Sequence, residues 1–206
     1  MFGPKLLERY PIISDQVDRQ ELSVILRELE QQLQQGIVGN VVEFGCYVGT
    51  TSLFIRRLLD CYNAAAEFHV YDSFSGLPEK TSHDLSPAGE QFKAGELAVS
   101  KQEFIKQFKK AGLKVPYIHK NWFYELATAD VPDSISFAFL DGDYYESIRD
   151  SLRLITPKLS SGAVIVIDDY VSSALPGAAR AVDEWCRLQP WRLQAAHSLA
   201  VLSACK

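Results

Sequence analysis

Four aspartates stand where they could do chemistry together. Asp141 and Asp143 lie in Leu140-Asp141-Gly142-Asp143, and Asp168 and Asp169 lie in Ile167-Asp168-Asp169-Tyr170; each segment follows directly on an apolar run. Carboxylates gathered closely repel one another unless one is protonated or a cation neutralises them. An all-oxygen set suits a hard divalent cation such as magnesium or calcium, with water completing the shell. A metal there would hold a substrate hydroxyl and lower its pKa. Plainer readings compete. Asp168 and Asp169 could cap a following helix, Asp143 could cap one beginning near Tyr145 with Glu146 in its first turn, or all could be solvated loop residues. Spacing alone does not choose among them.

A second constellation runs from Glu43 through Gly45 and Gly49 to Thr51 and Ser52, in the segment EFGCYVGTTS. Glycines let a backbone turn tightly and approach a ligand closely. The spacing is GxxxG, which is neither the GxGxxG of dinucleotide folds nor GxxxxGK[ST], and no lysine follows to hold a phosphate. Glu43 would repel a pyrophosphate and suit an amine or a cation. Asp72 closes the next apolar run, where a carboxylate can accept hydrogen bonds from ribose hydroxyls. A nucleoside that carries an amino acid and a sulfonium meets all three conditions. Taken alone, the two glycines would also serve as an ordinary strand-to-helix turn.

The elements that must position these residues alternate. Residues 20–35 carry Leu22, Ile25, Leu26, Leu29 and Leu33 at helical spacing, with Gly36 and Gly39 after them. Strands are predicted at 41–44, 67–71, 116–119, 135–140 and 163–167, and helices at 50–59, 101–111, 145–155 and within 176–188. Residues 191–198 and 199–204 read as a closing strand pair. Residues 1–19 give only weak signals. The stretch 73–100 is a long polar loop, and loops of that length in a compact domain are functional or mobile. The alternation implies an α/β fold with a mostly parallel sheet covered on both faces. Ligands of such sheets bind beyond the carboxyl ends of the strands, where Asp72, Asp141, Asp168 and the glycine turn all fall.

The 206 residues form one domain in this reading, with a helical extension at 1–36 and a core at 37–206. A net charge of −5 offers no basic footprint for nucleic acid. The apolar runs are too short to span a bilayer, and the first residues have no signal-peptide character. Cys46, Cys61, Cys186 and Cys205 lack zinc-site spacing and read as free thiols, which points to a cytoplasmic protein. The leucine-rich face of 20–35 would pack either on the domain or on a second copy of the chain, leaving a homo-oligomer open.

The segments VVEFGCYVGTTS (41–52), VYDSFSGLPE (70–79), FLDGDYYES (139–147), PKLSSGAVIVIDDY (157–170) and PGAARAVDEW (176–185) resemble, in order, the macrocin O-methyltransferase (TylF-type) family. The resemblance implies a Rossmann-like class I methyltransferase fold, with a seven-stranded sheet whose last strand is antiparallel. It implies S-adenosylmethionine as methyl donor, a magnesium-type ion on Asp141, Asp168 and Asp169, and Asp143 as candidate general base. Glu43, Gly45, Gly49 and Thr51, with Ser52, would line the donor's methionine part. Asp72, with Ser73, would take the ribose, and Asn121 and Trp122 would flank the adenine. The acceptor would be a small-molecule hydroxyl, with a sugar of a glycosylated natural product as the analogy. About forty residues precede the glycine turn here, fewer than in antibiotic-pathway members, so the acceptor contacts do not carry over. A donor-binding module without turnover is the rival reading; the missing GxGxxG disfavours a nucleotide-dependent oxidoreductase. His83, Tyr144, Tyr145 and Tyr170 are candidates for reaching an acceptor, and Phe74 and Leu77 for closing the long loop.

Overall fold

The structure is a computed structural model that describes residues 1–204. In chain order its main elements are helix α1 (Gly3–Arg9), helix α2 (Arg19–Gln35), strand β1 (Asn40–Phe44), helix α3 (Thr50–Cys61), strand β2 (Phe68–Asp72), helix α4 (Lys101–Ala111), strand β3 (Tyr117–Lys120), strand β4 (Ile135–Leu140), helix α5 (Tyr145–Ile155), strand β5 (Leu159–Ile167), helix α6 (Pro176–Leu188), and strands β6 (Trp191–Ala196) and β7 (Leu199–Ala204).

Local chemistry sets the helix ends. Asp18 and Glu21 form a reciprocal capping box at the start of α2, and Gly36 ends it in the left-handed region at φ 67°. Ser100 caps α4, and Gly112 ends it at φ 66°. The short α1 was not visible in the apolar pattern; Pro4 in its first turn starts it, and Leu6 and Leu7 bury it.

The seven strands form one sheet in the order β3-β2-β1-β4-β5-β7-β6. The first five run parallel, and β7 lies antiparallel between β5 and β6. The expected class I architecture, with its antiparallel last strand, is what the chain forms. Strand β5 begins four residues before the predicted start, because the apolar run at 163–167 marks only its buried half.

Alternate strand residues feed two cores. Val41, Val70, Phe137, Phe139, Val164 and Val166 pack against α2, α3 and α4. Val42, Phe44, Ala138, Leu140, Ile165 and Ile167 pack against α5 and α6. Both faces are therefore covered, which is why β4 reads as an unbroken apolar run. Helix α2 turns Leu22, Ile25, Leu26 and Leu29 into the first core, so this domain itself buries the leucine-rich face.

From β1 the chain builds β2 and β3 on one side, then returns to place β4 and β5 on the other. The switch point falls between β1 and β4, and open α/β sheets bind ligands in the crevice at such a point.

Candidate active site

Strand register brings the site residues into one row. Tyr71, Phe44, Leu140 and Ile167 are partners across β2, β1, β4 and β5. The next residue on each strand is Asp72, Gly45, Asp141 and Asp168. Backbone bonds hold the row one step past the strands: Gly45 N donates to Tyr71 O at 2.9 Å, Asp141 N to Phe44 O at 2.8 Å and Asp168 N to Leu140 O at 2.9 Å.

The glycine turn is shaped by close approach. Gly45 has φ 86°, and a Cβ there would lie 1.7 Å from the carbonyl oxygen of Asp141. Gly49 has φ 89° and lies against the Phe104 ring, which a Cβ would meet at 2.9 Å. Asp72 supports the turn from the side: its Oδ2 accepts from Cys46 N at 2.8 Å and its Oδ1 from Phe74 N at 2.7 Å. Each oxygen keeps a lone pair for a ligand.

The acidic cluster is buried at Asp143 and Asp168 and half-buried at Asp141 and Asp169. Asp143 and Asp168 are 8% and 6% exposed, which removes the solvated-loop reading for these two. The capping readings fail as well. No side chain of the N-cap residue caps α5 or α6, and α6 starts only at Pro176. Asp168 Oδ1 instead accepts from Asp169 N at 2.8 Å. Asp143 and Asp169 hold left-handed backbones, at φ 58° and 59°, conformations that cluster at functional sites.

The carboxyls feel one another. Burial first, and then Asp168, Asp143 and Asp169, hold Asp141 well above the usual carboxylate range. Burial, then Asp168 and Asp72, push Asp143 up to about 7, against a downward pull from Lys80. Burial and Asp169 raise Asp168 well above the usual range. Burial, Asp143 and Glu21 raise Asp169 to about 8. Among the described residues none of the four has an ion-pair partner.

A cavity of about 790 Å³ opens over this row. Gly45, Asp72, Ser73, Trp122, Asp141, Asp143, Asp168 and Asp169 line it. Glu43, Gly49, Thr51, Ser52 and Asn121 do not. Glu43 is fully buried beneath the turn, where its Oε2 accepts from Ser52 Oγ at 2.5 Å and its Oε1 has no partner. Burial, and then Asp72, raise its pKa to about 8 while Ser52 opposes the rise. Asn121 Oδ1 accepts from Trp122 N at 3.0 Å.

The long loop is bolted down at its middle. Asp84, 2% exposed, accepts from Thr81 N at 2.8 Å and from Tyr145 N, the first amide of α5, at 2.7 Å. Gly177 leaves room for it, since a Cβ there would lie 1.9 Å from Asp84 Oδ1. His83 stacks on Tyr145 with centroids 4.1 Å apart, and Arg180 donates to the His83 carbonyl. His83, Tyr144, Tyr145 and Tyr170 therefore pack or tie elements together and do not line the cavity. Phe74 is buried edge-on against Phe104, while Leu77 does reach the cavity.

Sequence reasoning missed residues that arrive from afar. Asp18 and Glu21 line the cavity, and both raise Asp168. With His197 they form the described group of three whose ligand atoms all lie within 4.8 Å of one another; Asp141, Asp168 and Asp169 are more open. The atoms of the tighter group are already spent. Asp18 Oδ1 accepts from Gln20 N and Glu21 N, Asp18 Oδ2 meets His197 Nε2 at 3.1 Å, and Glu21 accepts from Asp18 N and Ser198 Oγ. That group fastens the β6–β7 turn to α2. Cys46, Cys61 and Cys186 are free thiols; Cys205 lies outside the described residues.

The fold and site together define an S-adenosylmethionine-dependent methyltransferase of class I. Residues 12–192 match the family Macrocin-O-methyltransferase (TylF). The 8-demethyl-8-(2,3-dimethoxy-alpha-L-rhamnosyl)-tetracenomycin-C 4'-O-methyltransferase of Streptomyces olivaceus is 31% identical over 180 residues, 83% of this chain and 69% of that protein. Curated relatives are matched over 62% to 72% of their own lengths. The structure of the O-methyltransferase NovP superposes with TM-score 0.74 at 24% identity, over 88% of this chain and 79% of that one. The apo structure of CalS11, a TDP-rhamnose 3'-O-methyltransferase, superposes with TM-score 0.63 at 19% identity, over 97% and 90%. The chain belongs to the macrocin O-methyltransferase family, and no described helix is long and apolar enough to cross a membrane.

Proposed function

We propose that this enzyme methylates a sugar hydroxyl of a small-molecule acceptor, with a divalent cation of the magnesium kind held by Asp141, Asp168 and Asp169. The single observation that carries the reading is the set of buried and half-buried carboxylates, without ion-pair partners, aligned with the glycine turn and Asp72 in one row. The relative acting on a rhamnosyl group supports the sugar.

The donor set fits a hard cation. It is all oxygen, with Asp168 buried and Asp141 and Asp169 half-buried, its members raise one another's pKa, and none has a protein counter-charge. At least one pair of ligand atoms in this set lies more than 4.8 Å apart, wider than the about 4.2 Å that two oxygens on one magnesium ion span, so the three carboxylates would draw together around the ion, with water completing the shell. When bound, such an ion would make a hydroxyl beside it more acidic.

The remaining roles belong to this chain's own groups. Gly45 leaves the crevice between β1 and β4 clear for the donor. The free lone pairs of Asp72 accept the ribose hydroxyls, and Trp122 flanks the base. The acidic walls favour a sulfonium, whose charge disperses as its methyl leaves. Asp143, which lines the cavity two residues on from Asp141, takes the acceptor's proton as the oxygen attacks the methyl group and the methyl–sulfur bond breaks. Glu43, Ser52, Thr51 and Gly49 act from beneath by shaping the turn, and Ser73 starts the loop that covers it.

The test begins with calorimetric titration of S-adenosylmethionine into metal-free protein. Magnesium and a panel of glycosides follow, read by release of S-adenosylhomocysteine. Donor binding with magnesium-dependent release supports the proposal. Full activity of the purified Asp168→Asn, Asp169→Asn double variant in chelator would remove the metal role.

A further inference from the structure

Strand β3 is a short edge strand. It has four residues, and β2 is its one neighbour among the described strands. Main-chain bonds to a single neighbour leave such a strand prone to fraying. Yet its end leads straight to the cavity rim: Asn121 N donates to Asp72 O at 3.1 Å, and Trp122, which lines the cavity, follows.

A side-chain clasp holds the strand just before that rim. His69 of β2 and His119 of β3 share one face of the sheet, and His69 Nδ1 meets His119 Nε2 at 3.1 Å. With their centroids 5.3 Å apart and their planes within 14°, the two imidazoles meet edge to edge. His69 Nε2 faces Glu67 Oε2 at 3.4 Å, and Glu67 Oε1 accepts from the Tyr117 hydroxyl at 3.2 Å. These partners place the protons. A carboxylate can only accept, so His69 carries its proton on Nε2 and leaves Nδ1 bare; His119 then donates from Nε2. Stacked rings tie the clasp to the site. Tyr71 lies on His119 and Phe44 on Tyr71, each with centroids 4.4 Å apart, and Phe123, which lines the cavity, stands edge-on to Phe44 at 5.3 Å.

We infer that His69 and His119 are positioning residues for the methyl donor: their bond fixes the end of β3 and so holds Asn121 and Trp122 at the rim where the donor's base is proposed to lie. The inference rests on that proposed placement of the donor.

The clasp responds to protons. One added proton on His119 Nδ1 leaves the bond intact, whereas a second sets two N–H groups against each other. Burial lowers the pKa of His69, against an upward pull from Glu67. Burial, then His69 and Lys101, lower that of His119, against Asp130. The rings of Tyr71 and Tyr117 also face the pair. Both imidazoles therefore take protons less readily in the folded chain than at the ordinary 6.5, so the pair's contribution is complete above pH 6.5 and is lost as pH falls through the lowered values.

The test titrates S-adenosylhomocysteine into the full chain by calorimetry between pH 7.5 and pH 5. His119→Phe keeps a ring against Tyr71 and loses the nitrogen. His119→Gln keeps a donor for His69, and its amide can turn its oxygen toward a protonated His69. At pH 7.5 the Kd should rise at least about threefold in His119→Phe, as expected for one lost hydrogen bond, and less in His119→Gln. Amides of β3 should exchange faster in His119→Phe than in the parent. Toward pH 5 the parent should lose affinity more steeply than His119→Gln; the cavity carboxylates titrate in both and cancel in the difference. An unchanged Kd in His119→Phe, or parallel pH profiles for the parent and His119→Gln, overturns the positioning role alone. A parent that binds no S-adenosylhomocysteine at any pH overturns the donor reading, and this inference with it.

Discussion

The α-carbon of Gly45 faces the carbonyl oxygen of Asp141 so closely that a Cβ on it would lie 1.7 Å from that oxygen. The glycine therefore sets the gap at the switch point between β1 and β4, and the donor crevice depends on it. Gly45→Ala must push β1 and β4 apart while holding a left-handed backbone at φ 86°. Overpacking alone costs about 1–3 kcal/mol. The expected result is a lower melting temperature together with loss of donor binding. Gly112→Ala is the control. It shares the positive φ but meets nothing within 4 Å, so it should cost about 1 kcal/mol and leave donor binding intact. Urea melts and donor titrations on both variants check the pair.

Asp84 ties the long loop to α5, and its removal should separate loop order from catalysis. Asp84→Ala leaves the amides of Thr81 and Tyr145 without their acceptor in a buried place. That costs about 1–3 kcal/mol. Limited proteolysis should then cut within residues 81–97 faster than in the parent, and the KM for the acceptor should rise more than the Kd for the donor. Ser86→Ala loses two exposed bonds, one to the Ser173 carbonyl and one from Ala88 N, which water can replace, and should leave the cutting pattern unchanged.

Which of these features the sequence disclosed follows from range. The carboxylates at 72, 141 and 168 were legible because each ends an apolar run, and parallel strands share one carboxyl edge. The row they form was not, since it needs the register Tyr71–Phe44–Leu140–Ile167. Glu43 shows the limit of a strand-end rule. Val42 and Phe44 face α5 and α6, so period-two alternation turns Glu43 to the other face, under Ser52 of α3 and away from the cavity. Asp18 and Glu21 carry the D-x-x-E pattern of a helix start, yet no local signal tells that α2 crosses to the end of β5. Asp84 sits in a polar loop whose anchor, Tyr145, lies 61 residues away.

Asp143→Asn keeps the size of the side chain and removes its ability to take a proton. With Asp143 as base, kcat should fall about 10²- to 10⁴-fold. The Kd for S-adenosylmethionine should stay within about twofold of the parent, a difference under about 0.5 kcal/mol. Wild-type kcat in this variant would instead show that the proton leaves without Asp143.

Glu43 gives a pH signature that needs no substrate. Its pKa is about 8 in the folded protein, against 4.5 in an exposed chain, chiefly because it is buried with Oε1 unpartnered. Between these values the folded state holds a proton that the unfolded state has released. Stability from this group is therefore complete below pH 4.5 and is lost progressively as pH rises through 8. Glu43→Gln fixes the group in its neutral form and retains an acceptor for Ser52 Oγ. Ligand-free protein melted across pH 5 to 8.5 should show variant and parent close together at the acid end. The variant should become the more stable of the two, by a widening margin, toward the alkaline end. A margin that stays constant with pH would mean that Glu43 is already ionised in the folded state, with a cation or solvent reaching it beneath the glycine turn.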